Sequence, residues 1–223
     1  MKKSIILMLA ASTLLFASCA SSRFYSEKAS AIQPIAFVQP YSYITDAIDD
    51  WATEYLDEVS QVNQELLSKA VNSVGLPIQK TVAMAYNKEE RSALNDWMRR
   101  FGNMNATAAR DLVIPGELRD AVGQSGCRYG LVVADFGYLK NAKELALEKA
   151  IDTATKVLDA VLNNNIDLSD NTESCLNSVY ALIFDNQTGN VVWFGSQPRR
   201  YKKNPVDPRI INDQVNALFK DFR

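Results

Sequence analysis

At 223 residues, 47% hydrophobic and 22% charged, the chain has the composition of an ordinary globular protein, which excludes a disordered or fibrous one and makes a single domain the starting expectation. Its 24 basic residues against 26 acidic ones leave no electrostatic footprint for nucleic acid. The absence of any histidine removes the commonest general base and metal ligand, and rules out a Ser or Cys triad built on His.

The first residues set the compartment. Lys2 and Lys3 form a basic start, Ile5 to Phe16 an apolar run of about a dozen residues, and Ala17-Ser18-Cys19 a small-residue processing site, which is the pattern of a removed export leader. The run is shorter than the ~20 residues that span a bilayer. Leu15-Phe16-Ala17-Ser18-Cys19 resembles the lipobox of bacterial lipoproteins, with Phe16 where Leu is more usual. The resemblance implies cleavage after Ser18, acylation of Cys19 by palmitate-type chains, and, with Ala20 next, an outer-membrane protein facing the periplasm. Several acyl chains hold firmly where one is marginal, at ~0.8 kcal/mol per buried methylene. Loss of residues 1–18 removes Lys2 and Lys3 and no acid, leaving 22 basic residues against 26 acidic ones, a net charge of −4.

Residues 19–33, with four Ser from Ala20 to Gln33 and little apolar periodicity, read as a flexible tether, and 34–223 as a single α/β domain. Ile35-Ala36-Phe37-Val38, between Pro34 and Pro40, reads as a first strand. Trp51, Tyr55, Val59, Val62, Leu66, Ala70 and Val74 then recur at helical spacing up to Gly75. Ile78 to Ala85 is a second strand candidate. Asn87 with Glu90 reads as a capping box for a helix to Phe101, and Leu112 to Gly126 holds another helix. Tyr129 to Tyr138 is a strand apolar on both faces, followed by a helix carrying Leu147, Ile151, Ala154, Leu158 and Val161. An Asn/Asp/Ser-rich loop spans 163–174. Val179 to Phe194 is a hairpin closed at Asp185-Asn186-Gln187-Thr188-Gly189, where Gly supplies the positive φ of the turn. Asp207-Pro208 caps a last helix carrying Ile211, Val215, Leu218, Phe219 and Phe222. The fold class is α/β (α+β), in the order β-α-β-α-α-β-α-β-β-α, with a mixed or antiparallel sheet of about five strands packed by helices. Strands apolar on both sides need cover on both.

Val113 to Val133, with its Pro, amphipathic helix, Gly and apolar strand, resembles a unit of periplasmic lipoprotein domains, and Asp185 to Trp193 is similar to their hairpin. Those families include penicillin-binding-protein activator lipoproteins, curli-secretion-type lipoproteins and the amino-terminal domain of the Tol translocation protein. The resemblance implies a compact domain used for contacts with another envelope protein, in assembly or regulation. A helix between the third strand and the hairpin, and the lack of a second domain, depart from the pattern.

The chemistry sought in the chain is sparse. Cys127 and Cys175 are an even pair in a compartment that permits disulfides, open to a bridge or to two separate thiols. With Cys19 acylated they are too few for a zinc site, and no metal or cofactor is expected. Asp46, Asp49, Asp50 and Glu54 gather where the first long helix is expected, in keeping with its dipole, with a cation site or with an acid and base pair. Asp167, Ser169, Asn171 and Glu173 alternate like calcium ligands but lack the Gly of such a loop. Arg199, Arg200, Lys202 and Lys203, around Tyr201, form the one dense basic patch, suited to an anionic partner or to a solvated strand exit. Trp51, Trp97 and Trp193 sit at core-facing spacing. Asp135 interrupts an apolar strand: it is either buried and paired, with Arg128 or a Lys of a neighbouring helix, or it marks where the strand leaves the core before Gly137. The reading favoured is a non-catalytic envelope lipoprotein, against a small-ligand or glycan binder and a carboxylate hydrolase.

Overall fold

The computed structural model describes residues 23–47, 53–86, 92–140, 175–201 and 206–222. Its strands are β1 (Arg23–Tyr25), β2 (Ile35–Val38), β3 (Tyr41–Ala47), β4 (Thr53–Tyr55), β5 (Ile78–Val82), β6 (Tyr129–Lys140), β7 (Cys175–Asp185) and β8 (Val191–Tyr201). The helices are α1 (Asp57–Ser73), α2 (Ala93–Phe101), α3 (Ala106–Arg110), α4 (Gly116–Ser125) and α5 (Pro208–Leu218). The mixed α/β class holds, but among the described residues the sheet has eight strands rather than about five, in the order β1-β8-β7-β6-β2-β5 with β3 also on β6 and β4 on β3.

The extra strands come from short segments that take their structure from neighbours. β1 lies inside the expected tether and pairs antiparallel with β8, Phe24 opposite Phe194. Tyr55, expected on a helix, is in β4 opposite Thr45. The helix starts two residues later, where Asp57 and Glu58 meet its positive end. The first apolar run is two strands that share one side of β6: β2 pairs its beginning, Phe37 with Leu131, and β3 its remainder, Ser42 with Asp135, both parallel. The long β6–β7 and β7–β8 ladders are antiparallel. Gly189 closes the β7–β8 turn at φ +76, and Gly126 ends α4 at φ +77, both in the left-handed region open to Gly.

Two cores follow from the alternation along the central strands. Ile35, Phe37, Leu131, Val133, Val179, Ala181 and Ile183 face α1 and α5, which bring Val62, Leu67, Val71, Ile211, Val215 and Leu218. Ala36, Val38, Val132, Ala134, Leu182 and Phe184 face α2, α3 and α4, with Trp97, Met98, Phe101, Leu118 and Val122. Helix starts follow sequence chemistry: Ser92 caps α2 by accepting from the Asn95 N–H at 3.1 Å, and Asp207 caps α5 by accepting from the Arg209 N–H at 2.8 Å. Asn87 and Glu90, the expected capping pair of α2, lie outside the described residues, as do the helix expected around Leu147 to Val161 and the 163–174 loop.

Candidate functional site

The most unusual chemistry lies inside the α1/α5 face. Tyr129, Leu131, Val133 and Asp135 point to that face by strand alternation, so Asp135 occupies a core position of β6 and is fully buried. It stands in mid-strand, since β6 continues to Lys140, which corrects the expectation that the strand leaves the core there. Nor is Arg128 its partner. Asn63 of α1 donates from Nδ2 to Asp135 Oδ2 at 2.5 Å and to Ser42 Oγ at 3.0 Å. On the next strand Asn177 donates to Gln214 Oε1 of α5 at 3.0 Å. Ser42, Asn63, Asp135, Asn177 and Gln214 are all 0% exposed.

The charge state follows from that burial. Desolvation pushes the Asp135 carboxyl up to about 7, and hydrogen bonds from Asn63, the backbone of Ser178 and Phe136, and Asn177 pull it back only partly. Among these influences there is no cation. Asn63 Oδ1 and Asn177 Oδ1 are buried acceptors without hydrogen-bond partners, and Gln214 Nε2 is a buried donor without one. A proton on Asp135 turns one of its acceptor oxygens into a further donor in this layer, next to the unpartnered amide oxygens.

On the opposite face a band of aromatic rings runs along the sheet. Tyr43 stacks on Tyr55 with centroids 5.0 Å apart, Tyr41 meets Tyr86 edge-on at 5.2 Å, and Phe136 meets Tyr180 at 6.0 Å. The Arg99 guanidinium sits 5.1 Å over the Tyr43 ring. These rings are half-buried except Tyr41, which is fully buried. A shallow depression of about 680 Å³ lies elsewhere, between α4 and the β7–β8 turn, lined by Gly116, Arg119, Asp120, Gly123, Gln124 and Asn186. Arg119 donates to the Asn186 carbonyl across it at 3.2 Å.

The remaining candidates separate. Cys127 is a free, buried thiol against Gln79, whereas Cys175 pairs with Leu139 at the other end of β6, so the bridge is not formed. Ten residues of strand separate the Tyr129 and Leu139 positions, about 33 Å, against the ~4–7 Å between Cα atoms that a disulfide needs. Asp46 and Glu54 face one another across the β3–β4 ladder, side by side on one sheet rather than across a cleft. Arg199 and Arg200 belong to β8, which runs on to Tyr201, so this part of the basic patch is strand and not strand exit. Trp97 and Trp193 are buried in the two cores, as their spacing implies. Cys19, Asp49, Asp50, Trp51, Asp167, Ser169, Asn171, Glu173, Lys202 and Lys203 lie outside the described residues. Arg128, offered as a partner for Asp135, instead clamps Asp185, from Nη2 at 2.7 Å and Nε at 3.1 Å.

The arrangement defines a mixed α/β domain with one sheet covered by helices on both faces and a polar layer buried on one of them. No family model matches the chain, and no curated protein matches it. Among solved structures the chain is similar to PelC dodecamers of Paraburkholderia phytofirmans in two crystal forms. The identities are 7% and 8% and the TM-scores 0.44 and 0.43, in each case over 91% of this chain and 96% of that one.

Proposed function

We propose that this chain is a lipid-anchored protein of the bacterial cell envelope, held to the membrane through acylated Cys19 and acting by protein contacts in envelope assembly or regulation rather than by catalysis. The anchor rests on the lipobox-like Leu15 to Cys19. The contact role rests on β5. Among the described residues it ends the sheet, with Gln79, Lys80 and Thr81 exposed, and it offers a row of backbone groups on the side away from β2. Lys80, the residue type that usually guards such an edge, is drawn back toward α4, where its amine donates to the Ser125 carbonyl at 2.6 Å. An extended segment of a partner could add there as a further strand.

The test is site-specific photo-crosslinking from position 81 in the native envelope, with capture analysed by mass spectrometry. The expected result is one discrete protein adduct from the anchored chain and its loss in the Cys19→Ala form. The same adducts from both forms, or none from position 81, would sink the proposal. The second reading, a binder of small polar ligands or glycans, is favoured by the depression beside α4 and would be measured by loss of binding in Arg119→Ala.

A further inference from the structure

We infer that the β1 edge of the sheet is the face this protein lays against phospholipid headgroups, an inference that rests on the acylation of Cys19 proposed above. The sequence pattern suggests a long, loose tether up to Gln33, but β1 begins at Arg23 and is locked onto β8. Only four peptide links join Cys19 to Arg23, a reach of about 14 Å when fully extended. The sheet is six strands wide from β1 to β5, which at ~4.8 Å per step is about 24 Å. Turning β5 toward the bilayer would lift Arg23 by that width, beyond the reach of the link.

The surface at this edge fits the position. Tyr25 is one of two large apolar side chains standing exposed among the described residues, at 40%, with its hydroxyl donating to Asp221 at 2.7 Å. An aromatic ring with a wet polar tip is the side chain favoured at a membrane interface. Lys220 is exposed next to Asp221, which Arg23 and Tyr25 hold, and Lys28 is exposed three residues after β1, just before the turn Ala29–Ala31 that touches Lys220–Phe222. Of the other neighbouring acids, Glu27 accepts from the Tyr129 hydroxyl at 2.8 Å, while Asp111, at the end of α3 against β1, is exposed beside Arg110, whose guanidinium lies 4.8 Å over the Phe24 ring. Anionic headgroups would meet basic side chains there within a Debye length of ~8–10 Å.

The experiment uses the full-length acylated protein in vesicles of phosphatidylethanolamine and phosphatidylglycerol, with benzoylphenylalanine in place of Lys28, Lys220 or Thr81. Intact mass first establishes the acyl chains on Cys19. The expected result is at least tenfold more phospholipid adduct from positions 28 and 220 than from 81. Equal yields, or more from 81, on acylated protein would overturn the orientation and leave the anchor standing. An unacylated Cys19 would overturn both.

Discussion

Replacing Asp135 by Asn tests the buried layer directly. The carboxyl stands near 7 in the fold against an ordinary 3.8, so its pKa is raised on folding. The associated stability is fully present below about 3.8 and is lost as pH rises through about 7. At 1.36 kcal/mol per pH unit the full loss is roughly 4 kcal/mol, of which roughly 2–3 falls between pH 5 and 8. Asn cannot ionise, is nearly the same size, and brings an amide donor toward the unpartnered Asn63 Oδ1 and Asn177 Oδ1. Urea unfolding of wild type and Asp135→Asn at pH 5, 6, 7 and 8 should therefore show a gap that widens in favour of the variant by roughly 2–3 kcal/mol. Groups common to both proteins, including Asp185, cancel in that difference. Parallel curves across this range would refute the assignment, because they would mean that Asp135 carries the same charge folded and unfolded.

Asp185 should behave in the opposite sense: burial raises its carboxyl, but Arg128 and the backbone N–H groups of Gln187 and Thr188 outweigh that and hold it below its ordinary value. Asp185→Asn is expected to cost ~1–3 kcal/mol at pH 7, and the difference from wild type in thermal unfolding should shrink as pH falls through and below 3.8. Gly130→Ala would place a methyl 2.5 Å from the Phe184 ring and 2.8 Å from Val122, so a loss of ~1–3 kcal/mol is expected; Gly116→Ala, with nothing within 4 Å, should cost nothing. Cys127 should take up iodoacetamide after unfolding without reductant and resist it when folded, and a requirement for reductant would contradict the free thiol.

Most of the sheet centre is legible in the sequence because its signals are local. The β7–β8 hairpin carries its own turn residue in Gly189, and α5 carries its own cap in Asp207. β1 is not legible: Arg23-Phe24-Tyr25 is too short to show a period, and only β8 makes it a strand. β4 is hidden by an accident of spacing, since Tyr55 lies four residues before Val59 on the helical stripe, although the acids Asp57 and Glu58 mark the true start of α1. The partners of Asp135 have a weaker signal. Asn63 lies beside Val62 on the apolar stripe of α1, and Gln214 lies between Ile211 and Val215 on that of α5. A polar residue on a core-facing stripe asks for a buried partner, but which strand supplies it is a matter of topology.

The network itself can be separated from the charge. β6 is apolar on both faces, so its hydrophobic pattern barely distinguishes one register from a slip by one residue. Asp135 does distinguish them, because only one face offers Asn63 and Asn177. Asp135→Val removes the charge as Asp135→Asn does, with a side chain suited to a strand, but it leaves an Asn63 amide hydrogen without its acceptor. The two neutral variants should thus differ by ~1–3 kcal/mol at every pH, with Val the less stable, while both lack the wild-type decline toward neutral pH. Urea unfolding of the pair at pH 5 and pH 8 measures it. Equal stability of the two would mean that the hydrogen bonds of Asp135 contribute nothing and that its burial is a pure cost to the fold.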